Sequence, residues 1–209
     1  MQKLSRARLE LFLKKHATDQ KVLDIGSGGS SYARYFPNRV MVDIDPARKP
    51  DIVADAQHLP FEDASFSFII STEMLEHVLD PVAVIAELCR VLAPGGTLIL
   101  TTRFVYPLHD APHDYWRFTR PNLERMFSDF PTVSIEPEAG PFTTLGILFE
   151  RVILQTRVRG GRFTKAILLV ISRVLARADG FVQISYGDIT HESVVPEILA
   201  SGYYVVAVK

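Results

Sequence analysis

The feature that most constrains this 209-residue chain is the alternation, from Lys21 onward, of short apolar runs with helical patterns. The runs are KVLDIG, RVMVDID, DIVADA, FSFIIST and GTLILTT. That order predicts a parallel sheet with helices on both faces, the α/β class. Between the last two runs, DPVAVIAELCRVLAPGG reads as a helix. Asp80 can cap it, Pro81 suits its first turn, and Pro94-Gly95-Gly96 would end it. Further on, TVSIEPE and the terminal GYYVVAVK read as two more strands, the last rich in β-branched and aromatic residues. Residues 142–180 interrupt this rhythm as a helical insertion. The length suits a single domain, 1–209, opened by an N-terminal helix over 1–20.

Charge narrows the partners. With 23 Lys+Arg against 24 Asp+Glu, no global field draws the chain to nucleic acid or membrane, so any such attraction must be local. Cys89 is the single cysteine, which excludes an internal disulfide and suits a reducing cytoplasm; its place in VAVIAELCRVL is that of a packing residue. The start, MQKLSRARLELFLKKH, is a basic amphipathic helix without the unbroken apolar core or small-residue cleavage site of a signal peptide. A cytoplasmic protein is the expectation.

In an open α/β sheet, ligands bind beyond the carboxyl ends of the strands, where the strand order reverses. The polar residues of this sequence gather at those ends. After the first run come Asp24, Gly26, Ser27, Gly28 and Gly29, and the missing side chains let backbone N–H groups approach a ligand; a tight strand-to-helix turn would use the same glycines. After the second run stand Asp43, Ile44 and Asp45, where a carboxylate can accept both hydroxyls of a ribose; alternatively, one of the two merely caps a turn before Pro46. After the third, ADAQHLPF offers Asp55 as an acceptor for an adenine amino group.

The motifs VLDIGSGGS, VDIDP, ADAQHLPFEDASFSFIIST, MLEHVLDP and ELCRVLAPGGTLIL resemble, in order, those of class I S-adenosylmethionine-dependent methyltransferases of the small-molecule type, the methyltransferase domain 11-like group. They span Lys21 to about Thr102. The resemblance implies a Rossmann-like, seven-stranded mixed sheet of order 3-2-1-4-5-7-6 with strand 7 antiparallel, and S-adenosyl-L-methionine across the ends of strands 1 to 4. It also implies residue roles. Asp24 would orient the glycine loop and the methionine amino group, with Gly26, Ser27 and Gly28 close to the cofactor. Asp43 and Ile44 would serve the ribose, Asp55 and the Ala56 backbone the adenine, and Ser71 and Glu73 would border the reactive methyl. Ser30 stands where the family often has a third glycine. A nicotinamide-binding alternative fits less well, because G-x-G-x-x-G would need glycine at Ser31 and gives ADAQHLPF no role.

Beyond strand 5 lies LHDAPHDYWRFTR, Leu108 to Arg120. Methyl transfer needs a positioned nucleophile shielded from water, and a hydroxyl acceptor needs a proton acceptor. His109 or His113 can be that base, with Asp110 or Asp114 orienting the ring, and Glu73 is a further candidate. Tyr115, Trp116 and Phe118 can wall an acceptor that Arg117 binds through a carboxylate or phosphate. The structural alternative packs Tyr115 and Trp116 on the sheet, pairs Arg117 with Asp114, and uses Thr119 to cap a helix begun by Pro121. The loop resembles an HxAPxDYxRxT pattern of a bacterial subset of these enzymes, several encoded among polysaccharide-biosynthesis genes, which implies a glycan-type acceptor. His77 matches a family position beside cofactor or acceptor, or is a half-buried histidine bonded to backbone.

Between Phe142 and Ala178, Arg151, Arg157, Arg159, Arg162, Lys165, Arg173 and Arg177 face only Glu150, interleaved with LGILF, VIL and AILLVIS. Charges interrupt every apolar stretch short of the about 20 residues a spanning helix requires. A helical lid over the acceptor, or a contact with anionic lipid at the inner membrane face, both fit this amphipathic segment. Nucleic acid is not expected, for lack of aromatic platforms or a binding module. No metal site and no obligate protein partner are expected. The sequence thus predicts transfer of a methyl group, at oxygen, to a small-molecule or glycan-precursor acceptor; the alternative is a non-catalytic AdoMet-binding module acting through a protein or membrane partner.

Overall fold

The computed structural model describes residues 3–28, 32–188, 193–194 and 198–209. Strands β1 (Val22–Ile25), β2 (Arg39–Asp43), β3 (Ile52–Val53), β4 (Phe66–Thr72), β5 (Leu92–Arg103), β6 (Thr132–Pro137) and β9 (Gly202–Val208) form one sheet of order β3-β2-β1-β4-β5-β9-β6. Counted within this sheet alone, that is 3-2-1-4-5-7-6, the order that the resemblance implies. β1 pairs in parallel with both β2 and β4, Leu23 lying opposite Val40 on one side and Ile69 on the other. Chain order therefore reverses between β1 and β4. The last strand runs the other way: Gly95 N–H donates to Lys209 O at 2.7 Å near one end of β5, and Phe104 N–H donates to Ser201 O at 3.0 Å beyond its other end. A second, two-stranded sheet pairs β7 (Tyr186–Asp188) with β8 (Ser193–Val194).

The core follows from the apolar runs. All four residues of β1 are buried, as are Ile69 and Ile70 of β4 and Leu98, Ile99 and Leu100 of β5. These continuous runs are what strands covered on both faces require. Helix α1 (Leu4–Lys15) buries Leu9, Phe12 and Leu13, with the Phe12 ring stacked on Tyr204 at 4.4 Å. Helix α2 (Pro81–Val91) starts as expected, the Asp80 carboxylate accepting from Val82 and Ala83 N–H at 3.0 Å each. Its end differs from the sequence reading. The helix stops at Val91, and Pro94-Gly95-Gly96 lies inside β5 as a bulge, where Leu92 and Thr97 oppose Phe66 and Phe68. Helix α3 (Arg120–Met126) is capped by Thr119, whose hydroxyl accepts from Asn122 N–H; Arg120 opens it and Pro121 is its second residue.

The chain divides into two compact units. One comprises Glu10–Arg103, His109–Glu136 and Tyr203–Lys209 and holds most of the sheet. The other comprises the residues up to Leu9, Phe104–Leu108 and Pro137–Gly202, and is built on helices α4 (Pro141–Gln155) and α5 (Gly161–Ala176). In this second unit Asp179 caps α4 from a distance, accepting from Phe142 and Thr143 N–H at 2.7 and 3.1 Å. Gly146 lets α5 come close, since a Cβ there would sit 2.7 Å from Ser172 O. Glu150 is buried between the Leu4 N–H at 2.9 Å and Arg173 at 3.4 Å, and the Arg151 guanidinium lies over the Tyr106 ring at 4.9 Å. Two of the insertion's basic side chains are thus already engaged.

Candidate active site

The carboxyl ends of β1, β2 and β4 converge on one loop. Val42 O accepts from Gly26 N–H at 2.9 Å, which pins the turn after β1 to β2. Gly26 and Gly28 take φ of +69° and +51°, in the left-handed region. A Cβ on Gly26 would meet Met74 Cγ at 2.4 Å. The Asp43 carboxylate spans two backbone donors, Gly28 N–H and Asp45 N–H, each at 3.0 Å, and remains half-exposed. Asp45 takes the capping role that either aspartate could have filled, accepting from Ala47 N–H at 2.9 Å, while Ile44 points to solvent. Gly29, Ser30 and Ser31 lie outside the described residues.

Asp24 is fully buried, and its charge is answered by residues that motif reading passed over. Arg39 Nε lies 3.5 Å from one oxygen and the Tyr32 hydroxyl donates to the other at 3.3 Å, while that hydroxyl also meets Thr72 Oγ1 at 2.8 Å. At the end of β3, Asp55 forms a local turn, accepting from the Gln57 backbone at 2.9 Å and from its side-chain amide. Ala56 beside it is half-buried. Arg90 and Glu87 of α2 hold the loop that follows: Arg90 donates to Leu59 O and Phe61 O, and Glu87 accepts from Leu59 N–H.

At the end of β4, Ser71 is buried, and its hydroxyl has no hydrogen-bond partner among the described residues. Glu73 takes a φ of +52°, donates its N–H to Thr101 O at 2.9 Å, and pairs its carboxylate with the buried Arg103. Three residues on, Glu76 is fully buried with one oxygen accepting from Thr102 Oγ1 at 2.9 Å. Burial pushes its carboxyl above the usual carboxylate range, against the opposing pull of Arg103. Neither Glu76 nor Arg103 was singled out from sequence. Their signals were their places, one a turn after Glu73 and the other the last residue of GTLILTTR.

The loop from His109 to Phe118 is tied to this same region. Glu76 O accepts from Tyr115 and Trp116 N–H at 2.9 and 3.2 Å, Val78 O accepts from the Trp116 indole at 2.9 Å, and Arg103 O accepts from Phe118 N–H at 2.9 Å. Asp114, its side chain 1% exposed, receives a bidentate pair from Arg117 at 2.6 and 2.8 Å and the His109 backbone N–H at 2.9 Å. These contacts, the Arg117 hydrogen bonds first, hold its carboxyl far below the usual range. The same carboxylate lies 3.3 Å from His109 Nδ1. An ionised carboxylate only accepts, so this approach favours the tautomer with the proton on Nδ1 and the lone pair on Nε2. Burial lowers the His109 pKa, outweighing the opposing pull of Asp114, and so favours the neutral ring.

His77 packs edge-on against His109, ring centroids 4.8 Å apart, and its Nδ1 donates to His113 O at 2.5 Å. His113 is exposed, with Nδ1 at 2.8 Å from the Tyr115 hydroxyl, and Tyr115 and Trp116 are also well exposed. Arg117 is spent on Asp114 and on Trp116 O, the pairing of the structural alternative. Glu76, His77 and His109 each bring one ligating atom within 4.8 Å of the others. The Arg103 guanidinium acts electrostatically on Glu76 and His109 alike, so a cation is already built into the group and we read it as a polar wall.

A family profile described as "Methyltransferase domain" matches residues 23–100. The chain is 30% identical over 148 residues to a ubiquinone biosynthesis O-methyltransferase of Psychrobacter cryohalolentis, covering 53% of this chain and 58% of that protein. It is 33% identical over 104 residues to the chloroplastic tocopherol O-methyltransferase of Arabidopsis thaliana, covering 40% of this chain and 30% of that protein. The chain therefore spans less than two thirds of these curated relatives. Among solved structures, an Archaeoglobus fulgidus SAM-dependent methyltransferase superposes with a TM-score of 0.58 at 15% identity, covering 99% of this chain and 93% of the other. Residues 23–100 thus match a methyltransferase domain, and the sheet has the class I methyltransferase fold.

Proposed function

We propose that this chain, whose fold and residues 23–100 are those of a class I methyltransferase, transfers a methyl group from S-adenosylmethionine to a hydroxyl of a small-molecule or glycan-precursor acceptor. The observation that carries the reading is the union, in one compact unit, of a glycine loop flanked by Asp24 and Asp43 with a half-buried His109 set 3.3 Å from the Asp114 carboxylate. The relatives named as O-methyltransferases support oxygen as the target.

The residues present fit such a cofactor. Gly26 sits in a cradle that a Cβ would fill, Ser71 holds a buried unpartnered hydroxyl, and Asp43 keeps an exposed carboxylate edge beside the loop. Asp43 would hold the ribose, Asp55 and Ala56 the adenine, and Asp24, Ser71 and Glu73 the methionine end. The cofactor supplies a methyl group on a sulfonium. His109 Nε2 accepts the acceptor's proton, Asp114 fixes the ring and stabilises the imidazolium that forms, and Arg117 keeps Asp114 ionised. His113, on the exposed side with Tyr115 and Trp116, meets the acceptor's outer part, and His77 lies against the base. In this reading the 209 residues act as one catalytic domain in the cytoplasm, at the inner membrane face.

Calorimetric titration with AdoMet, S-adenosylhomocysteine and NAD tests the cofactor: the first two should bind, and binding of NAD alone would overturn the assignment. Once an acceptor is found by following S-adenosylhomocysteine release, His109→Ala should lower turnover by roughly 10²–10⁴-fold with AdoMet affinity unchanged. Full activity in the His109→Ala, His113→Ala double variant would remove both histidines from the mechanism. Stoichiometric AdoMet binding with no methylated product from any acceptor would favour a non-catalytic binding module.

A further inference from the structure

Helix α5 is the most anomalous element of the molecule. Sixteen residues long, GRFTKAILLVISRVLA, it is mostly apolar, yet its one buried residue is Ser172. Phe163, Val170 and Val174 are 76%, 60% and 61% exposed, and Ile167 and Ile171 are exposed as well. Steps of four, three and four residues from Phe163 to Val174 put these side chains on one stripe, with Ile171 beside Ile167. Phe181, five residues after the helix, is 88% exposed as well. Single exposed apolar residues are ordinary in soluble proteins, whereas a continuous stripe of this kind marks a contact surface.

The charges on helix α5 and at its ends are basic apart from Asp179, whose carboxylate is turned to the start of α4. Helix α5 contains no Asp or Glu, while Arg157, Arg159, Arg162 and Arg177 are exposed at its two ends and Lys165 is half-buried on its side. Arg173 is turned inward to Glu150 and takes no part. A second copy of the chain laid on this stripe face to face would bring two basic rims together. An anionic lipid surface meets both features, since acyl chains take the stripe and phosphates take the guanidinium and ammonium groups. Among the described residues no helix is long and apolar enough to cross a membrane, so α5 would lie in the interfacial plane.

We propose that α5 is an interfacial helix that binds the chain to membranes rich in anionic phospholipid. The surface deepens the inner-membrane location in the proposed function and is independent of the methyl-transfer chemistry. The test is co-sedimentation of the full chain with vesicles of phosphatidylcholine alone and of an equal mixture with phosphatidylglycerol. The wild type should bind the mixed vesicles and bind pure phosphatidylcholine far more weakly. Replacing Arg162 and Lys165 by Gln should weaken the binding by about fivefold per charge removed. Val170→Glu with Val174→Glu should abolish it, and because both side chains are exposed, the fold should survive, as circular dichroism and AdoMet titration of the same variant will show. Failure of the wild type to bind mixed vesicles, or undiminished binding of the double Glu variant, overturns the proposal. So does a concentration-dependent dimer that this variant dissociates, which would make a second copy the occupant. Absent AdoMet binding in the wild type would count against the chemistry and leave the vesicle result standing.

Discussion

Gly26→Ala isolates what the loop after β1 demands, and the structure supplies its own control. Gly26 and Gly95 hold nearly the same backbone conformation, φ of +69° and +74°. Around Gly95 nothing lies within 4 Å of a built Cβ, whereas at Gly26 the Cβ would meet Met74 Cγ at 2.4 Å and Met74 Cβ at 2.7 Å. Gly95→Ala therefore carries only the left-handed cost, about 1–2 kcal/mol. Gly26→Ala carries that plus an overpacking cost of about 1–3 kcal/mol, because Met74 Cβ belongs to a fixed part of the neighbouring turn and cannot rotate away. For a chain of this size, a combined loss of about 2–5 kcal/mol lowers Tm by roughly 5–15 °C, several degrees beyond the Gly95 variant. Urea unfolding and thermal melts measure the difference, and AdoMet titration should show binding lost at Gly26→Ala and retained at Gly95→Ala. Adding Met74→Ala should restore part of the stability, since it removes Cγ and leaves Cβ. Equal stability of the two glycine variants would refute the argument.

Three further outcomes are expected. Asp43→Ala should weaken AdoMet binding by about 1–3 kcal/mol, the cost of leaving ribose hydroxyls without their acceptor; calorimetry checks this, and unchanged affinity would move the ribose site away from Asp43. Glu76 has its folded pKa raised by burial, so its unfavourable contribution is absent below its unfolded pKa and grows as pH rises toward the folded value. Glu76→Gln should thus gain stability relative to wild type as pH rises above the ordinary carboxylate value of about 4.5, and urea melts showing the opposite slope would count against the burial argument. His109 has its pKa lowered by burial, so the acid limb of kcat/KM should fall below the ordinary histidine value of about 6.5. Asp114→Asn, which removes a charge that raises that pKa, should move the limb lower still while reducing kcat.

The sequence carried the sheet further than it carried the site. Buried strands such as VLDI and FSFIIST advertise themselves through unbroken apolar runs, and the capping residues Asp80 and Thr119 do the same through their side-chain chemistry. Pro94-Gly95-Gly96 misled because the residues that end a helix also make a β-bulge, and only the pairing of Phe66 with Leu92 distinguishes the two. Asp24 and Asp43 stand at strand ends where the glycine loop predicted them. Arg39, Tyr32, Glu76 and Arg103 were invisible for a different reason: each is defined by a partner 8 to 40 residues away, as in the Tyr32 contacts with Asp24 and Thr72. The same holds for Asp179, which caps a helix 37 residues upstream. Local pattern finds residues whose role is set by their own backbone; charges satisfied across the fold need the fold.

The stretch HDAPHDYWRFT shows why the structural and chemical readings of a charged loop need not exclude one another. Asp114 is almost wholly buried, and a carboxylate in that position must be matched or it protonates. Arg117 matches it, the pairing that a purely architectural role would require. Because Arg117 keeps Asp114 ionised, the carboxylate can only accept, and its approach to Nδ1 of His109 favours the tautomer protonated there. Burial then disfavours the imidazolium, while Asp114, 3.3 Å away, would stabilise it in the proposed reaction. The backbone of Tyr115 and Trp116, bonded to Glu76 O, holds the loop against the turn that follows β4. The ion pair that fixes the loop therefore also biases the tautomer of His109, the proposed base. A variant at Asp114 or Arg117 disturbs both at once, and only His109 itself separates chemistry from architecture.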